Sequence, residues 1–161
     1  MKKKIIDRIK TFEDACNELG EDNPLVIQYH SVLQSLPPFE EFIDVDIIAY
    51  LKLRIIVAAL NEGWTPTYKD GEIKWFPWFK LYTKEEIDNL KDKFRVLAWG
   101  GFASNGSAAG LGFASAHNGF SATYSFYGSR LCYRTKELAE YSGKQFIEIY
   151  RDFIYNEPKR D

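Results

Sequence analysis

The residues with most to offer chemically are four tryptophans, Trp64, Trp75, Trp78 and Trp99, and an arginine, Arg130, that closes a long uncharged run. Between Val96 and Ser129 the chain carries no Asp, Glu, Lys or Arg, although 27% of all its residues are charged. That run also holds seven of the 11 glycines and is crowded with Phe, Tyr, Ser and Ala. An arginine bordering a low-charge aromatic surface can grip a carboxylate or phosphate with its planar fork, undiluted by neighbouring charges. Aromatic rings stack on a planar ligand, and glycine and serine let the backbone approach its polar groups. The candidate ligand-binding residues are therefore Trp64, Trp75, Trp78, Tyr124, Tyr127, Ser129, Arg130 and Arg134. Arg134 falls on the same side as Arg130 if "SRLCYR" is a straight strand. The competing reading of either arginine is an ion pair with a buried acid or a cap on helix carbonyls. Lys52 is a further candidate cation, with snorkelling to solvent as its alternative.

Other chemistries find less support. "GLGFAS", Gly110 to Ser115, begins like a dinucleotide fingerprint but has Ser at the third glycine position, and no helical pattern follows it. No G-x-x-x-x-G-K-[ST] is present. Both motifs aim glycine amides at phosphate from a helix N-terminus, so the Rossmann and P-loop readings are rejected. His30 and His117 lack a second His or a carboxylate at metal-ligand spacing. Cys132 sits among apolar and aromatic residues, which suits a small core side chain better than a thiolate nucleophile. Carboxylates are plentiful, but no pair stands out for acid–base work. The balance leans away from an enzyme, with no cofactor and no metal.

Bulk properties narrow the partners. At 161 residues and 18.7 kDa the chain is most economically one domain, with residues 1–10 a basic N-terminal arm that has room to flex. Its net charge of -2 and pI near 5.8 argue against tracking a long nucleic acid, which needs a basic face. A short anion needs only one or two cations. The aromatic content of 16% suits cores, interfaces and stacking pockets alike. Two isolated cysteines fit reduced thiols. The start lacks a secretory apolar core, and the uncharged run is too rich in Gly, Ser and Asn for a membrane-spanning helix. A cytoplasmic protein that makes no membrane contact is expected.

The elements that must position these residues are legible as local patterns. Thr11 caps a helix over "FEDACNEL" with Asp14 at the third position and Gly20 as stop. Asn23-Pro24 opens a second helix that runs to Pro37-Pro38. The third, Asp44 to Gly63, is apolar nearly all round and so is either central or part of a subunit interface. From Trp64 the chain reads as extended, with a hairpin turn at Asp70-Gly71, and Pro77 restricts "KWFPWFKL" to an edge strand or a bulge. The i, i+2 rule puts Trp75, Pro77 and Phe79 on one face and Phe76 and Trp78 on the other. Thr83 and Glu86 form a capping box. "FRVLAW", both "GFAS" copies as strand ends around an "NGSAAG" connection, "FSATYSF" (Phe120 to Phe126) and "SRLCYR" supply further strands. Thr135 caps a closing helix with a buried stripe of Leu138, Phe146, Ile149 and Phe153. The expected fold is α+β: N-terminal helices, a mostly antiparallel sheet of about four or five strands, and a C-terminal helix packed on it.

Three words carry a resemblance: Asn61-Glu62-Gly63-Trp64, Lys74-Trp75-x-Pro77-Trp78-Phe79 and Gly128-Ser129-Arg130-Leu131-Cys132. Across roughly Ala59 to Phe146 the chain resembles a family of small uncharacterised proteins recurrent in tailed phages and prophages of gut bacteria. The resemblance carries over no catalytic residue. It implies a phage accessory protein acting in the cytoplasm of a bacterial host. Phages carry small oligomeric, non-enzymatic proteins that sequester nucleotide signals of host defence, so the expectation is a homo-oligomeric nucleotide sponge. The alternatives are a minor virion or protein-interaction component and a single-stranded DNA-binding protein, the last disfavoured by charge.

Overall fold

The computed structural model describes residues 3–36, 45–67, 69, 71–91, 98–99, 110–119 and 129–154. Local capping sets the first helices. α1 (Ile5–Arg8) is a single turn with Ile5 buried, followed by a fully buried Ile9. The Ile9 carbonyl accepts the Tyr141 hydroxyl, and the Lys10 carbonyl accepts from Gln145 Nε2 at 2.8 Å. α2 (Phe12–Leu19) starts at a full capping box. The Asp14 amide donates to Thr11 Oγ1 and the Thr11 amide donates to the Asp14 carboxylate. Gly20, at φ 87, ends it. α3 (Pro24–Ser35) begins with Pro24 behind an Asn23 cap that accepts the Leu25 amide.

α4 (Val45–Leu60) is the centre of the molecule. Leu51, Leu53, Ile55, Ile56, Val57 and Leu60 are all buried, because α2, α3 and α7 pack around it. From Leu51 to Leu60 the apolar circumference read from the sequence is therefore filled from within the chain, whereas Val45 and Ile47 in the first turn are exposed. Among the described residues no helix is long and apolar enough to cross a membrane.

β1 (Lys74–Tyr82) lies antiparallel to β3 (Gly110–Gly119), with Pro77 opposite Ala116 and a bulge after Trp78. The two-residue β2 (Ala98–Trp99) pairs with the other side of β3, so the strand order is β1-β3-β2. α5 (Lys84–Asn89) follows β1 behind the Thr83–Glu86 capping box. A 3-10 turn (Ser129–Leu131) leads to α6 (Lys136–Gln145), capped by Thr135, and α7 (Ile147–Ile154).

α6 covers the sheet by pressing Gly143 onto Pro77 and Phe113, so closely that a Cβ there would lie 2.6 Å from the Phe113 ring. Trp75, Phe79 and Phe113 consequently face the core. Trp78 lies on the opposite face and is 44% exposed. Phe146 separates α6 from α7, and Leu138, Phe146, Ile147 and Tyr150 are buried. One hydrophobic cluster joins these helices to α4 and the sheet.

The α+β class holds, but the expected sheet of four or five strands does not. Among the described residues it has two long strands and the short β2. "SRLCYR" is not a strand: it is a 3-10 turn followed by one bridge, Trp75 to Tyr133, with N–H···O distances of 3.0 and 2.8 Å. The reason is Pro77. Extending an antiparallel ladder from Trp75–Tyr133 would next place Leu131 opposite Pro77, which has no N–H to give. In the other direction Thr135 is already the cap of α6.

Around the hairpin expected at Asp70-Gly71, no ladder is present among the described residues. The Lys69 carbonyl does accept the Glu72 amide across a turn with Gly71 at φ 81. The Thr67 amide, however, is taken by the Glu72 carboxylate at 3.0 Å and not by a strand. The second "GFAS", Gly112–Ser115, lies inside β3 and does not end it. Pro37-Pro38, Asp70, "NGSAAG" as far as Ala109 and the Phe120–Phe126 strand lie outside the described residues.

Candidate functional site

The end of α4 builds one wall of a cleft. Arg54, Val57, Ala58 and Asn61 recur at i, i+3, i+4 and i+7, so they line a single face of the helix. Beyond Leu60 two successive residues take left-handed backbone, Glu62 at φ 49 and Gly63 at φ 83. Such conformations are rare outside glycine. They reverse the chain, and the Trp64 amide donates back to the Asn61 carbonyl at 3.0 Å. Trp64 and Pro66 thereby form a second wall.

The third wall comes from Arg130 and Cys132, and Asn61 holds it in place. Its Nδ2 donates to the Cys132 carbonyl at 2.9 Å, and its Oδ1 accepts the Arg134 amide at 3.1 Å. Asn61 is almost fully buried, so both bonds satisfy groups that water cannot reach freely. The result is a hollow of about 190 Å³.

Its polarity is one-sided. Arg54 and Arg130 both line it, and no carboxylate does so among the described residues. Arg54 donates to Gln28 Oε1 at 3.3 Å and lies 5.9 Å from the centre of the Tyr50 ring, both uncharged partners. Arg130 is exposed and has no ion-pair partner among the described residues. Two guanidiniums without a countercharge beside an indole ring favour an anion with a flat apolar body.

Cys132 forms part of the floor. Burial pushes its thiol up to about 11, only partly offset by the ammonium of Lys74. A thiol so hard to ionise is a poor nucleophile at neutral pH. Lys74 itself is fully buried, with its ammonium 3.4 Å from Glu72. His30 packs on Tyr29, and His117 on Trp78; neither lines the cleft. Among the described residues no three His, Cys, Asp or Glu side chains converge as metal ligands would.

The residues singled out from the sequence are thus divided. Trp64 and Arg130 meet in this cleft. Ser129 lies in the same 3-10 turn as Arg130. Trp75 packs on the core, and Trp78 projects from the other face of the sheet, so neither joins Trp64. Tyr124 and Tyr127 lie outside the described residues.

Arg134 does not stand beside Arg130, because the 3-10 turn breaks the straight strand that would align them. Its guanidinium binds Glu62 at 2.7 Å, and Arg8 binds the other oxygen of that carboxylate at 3.2 Å. Arg134 and Glu62 border a separate hollow of about 330 Å³ with Lys3, Lys4 and Glu137. Although larger, that hollow has charges of both signs and, among the described residues, no aromatic wall, so it offers a planar anion less. Lys52 is also elsewhere, with its ammonium 5.5 Å from the centre of the Phe12 ring.

Sequence reasoning missed Arg54 and Asn61. The signal was present in their i, i+7 spacing, which puts both polar side chains on one face of the helix. No family description, curated protein or solved structure matches the chain.

Proposed function

We propose that the protein binds a small planar anion of the nucleotide type in the cleft beneath Trp64 and holds it without transforming it. The observation that carries this reading is the pairing of two guanidiniums, Arg54 and Arg130, with an indole ring in a lining that has no described carboxylate. The phosphate meets the guanidinium forks and the ring stacks on Trp64. Holding needs no nucleophile, and the buried Cys132 thiol suits a wall better than a reagent. Taken with the phage resemblance of the Asn61–Trp64 and Gly128–Cys132 words, the biological role is sequestration of a nucleotide signal inside a bacterial host cell by a homo-oligomeric sponge.

Calorimetric titration with adenosine 5′-monophosphate tests the site. Replacing either arginine, as Arg54→Ala or Arg130→Ala, should weaken binding roughly tenfold or more, the loss expected for one charged hydrogen bond. Trp64→Ala should weaken it by a similar factor through lost stacking. Unchanged affinity in all three folded variants sinks the assignment.

A second reading draws on Trp78 and Leu81, which are 44% and 46% exposed on β1. Exposed large apolar side chains on a strand suit a protein contact, as a virion or interaction component would use. Recovery of the protein in purified virions, with Trp78→Ser abolishing it, would favour that role.

A further inference from the structure

We infer that the cleft, if it binds nucleotides as proposed above, takes a single nucleotide unit and does not distinguish one base from another. Reading a base requires a donor and an acceptor held in fixed positions against its edge, as an asparagine amide offers to adenine or a carboxylate to an exocyclic amine. Among the described residues Asn61 is the one amide side chain in the lining, and it is almost fully buried, with its nitrogen bound to the Cys132 carbonyl and its oxygen to the Arg134 amide. No carboxylate lines the cleft among the described residues.

What remains is indifferent to base identity. Arg54 and Arg130 carry donors only, and a phosphate outcompetes a neutral base edge for them because the bond is charged at both ends. Thr65, exposed at the rim, offers a hydroxyl that rotates to suit either a donor or an acceptor. Trp64 lines the hollow with an indole, and every base has a π-face that such a ring can stack on. The hollow of about 190 Å³ is smaller than the roughly 300–1,000 Å³ of pockets for drug-sized ligands, so it suits one base and its phosphate, not a dinucleotide.

Calorimetric titration of the full chain with the 5′-monophosphates of adenosine, guanosine, cytidine and uridine, and with adenosine itself, decides the matter. The four nucleotides should have dissociation constants within about threefold of one another, and adenosine should bind at least about tenfold more weakly than its monophosphate, as loss of a charged hydrogen bond requires. A preference of tenfold or more for one base, guanine above all because arginine can read its edge, overturns the inference while leaving the cleft as the site. Adenosine binding as tightly as its monophosphate also overturns it. Failure of all four nucleotides to bind removes the inference and the functional reading it rests on together.

Discussion

Asn61 and Arg134 are joined by a bond of 3.1 Å from the arginine's backbone amide to the asparagine's side-chain oxygen. The nitrogen of the same side chain binds the Cys132 carbonyl at 2.9 Å. One buried amide therefore fixes the end of α4 against the segment that carries Arg130. Without it, the segment that carries Arg130 loses its side-chain tie to the end of α4.

Replacing Asn61 with leucine should therefore cost more than a surface substitution. It strands the buried Cys132 carbonyl, at roughly 1–3 kcal/mol for a buried group left unsatisfied, and removes the part-buried bond to the Arg134 amide, worth roughly 0.5–1.5 kcal/mol, so a total of about 1.5–4.5 kcal/mol is expected. Urea denaturation monitored by tryptophan fluorescence measures it. A loss below about 0.5 kcal/mol, the range of neutral surface changes, would remove Asn61 from this role.

Gly143→Ala sets two effects against each other. Alanine is better than glycine in a helix by about 1 kcal/mol. Its Cβ would lie 2.7 Å from Pro77 Cβ and 2.6 Å from the Phe113 ring. The proline ring is anchored in the backbone of β1 and cannot step aside, so overpacking of about 1–3 kcal/mol should win. Thermal denaturation should show a lowered Tm; a raised one would mean that α6 lifts off the sheet without penalty.

Acid should weaken the fold through three hydrogen-bonded carboxylates. Backbone amides of Lys10 and Thr11 hold Asp14 below its ordinary value, the Thr67 amide does so for Glu72, and the Thr83 amide for Glu86. A lowered folded value means that the unfolded chain binds the proton first. Their contribution is therefore complete above the ordinary carboxylate values of 3.8 and 4.5 and disappears as pH falls through the lower folded ones. A series of melts from about pH 6 down to about pH 2 should show a falling Tm, and the fall should be shallower in Asp14→Ala. Equal slopes would assign the acid sensitivity elsewhere.

The two thiols should behave differently towards an alkylating reagent. Cys16 is half-buried, whereas Cys132 is fully enclosed and its thiol is pushed up to about 11. At about pH 8 the native protein should label slowly and only at Cys16, with Cys132 reacting after denaturation. Peptide mapping by mass spectrometry distinguishes the sites. Rapid native labelling of Cys132 would show that the cleft floor opens.

The amino-acid order alone determined the capped helix starts and the confinement of Pro77 to an edge. Each depends on groups a few residues apart: Thr11 with Asp14, Asn23 with Pro24 and Leu25, Thr83 with Glu86, or on a missing N–H that no context restores. Tertiary structure alone decided which rings met which charges. Alternation put Trp75 and Trp78 on opposite faces of one strand without saying which face the core would take; α6 covered that of Trp75, Trp78 stayed exposed, and of the three only Trp64 came to line the cleft with Arg54. Glu62 likewise captured Arg134 and left Arg130 uncompensated among the described residues. Such outcomes turn on competition among distant segments for burial and for countercharge, and that competition is settled only when the whole chain packs.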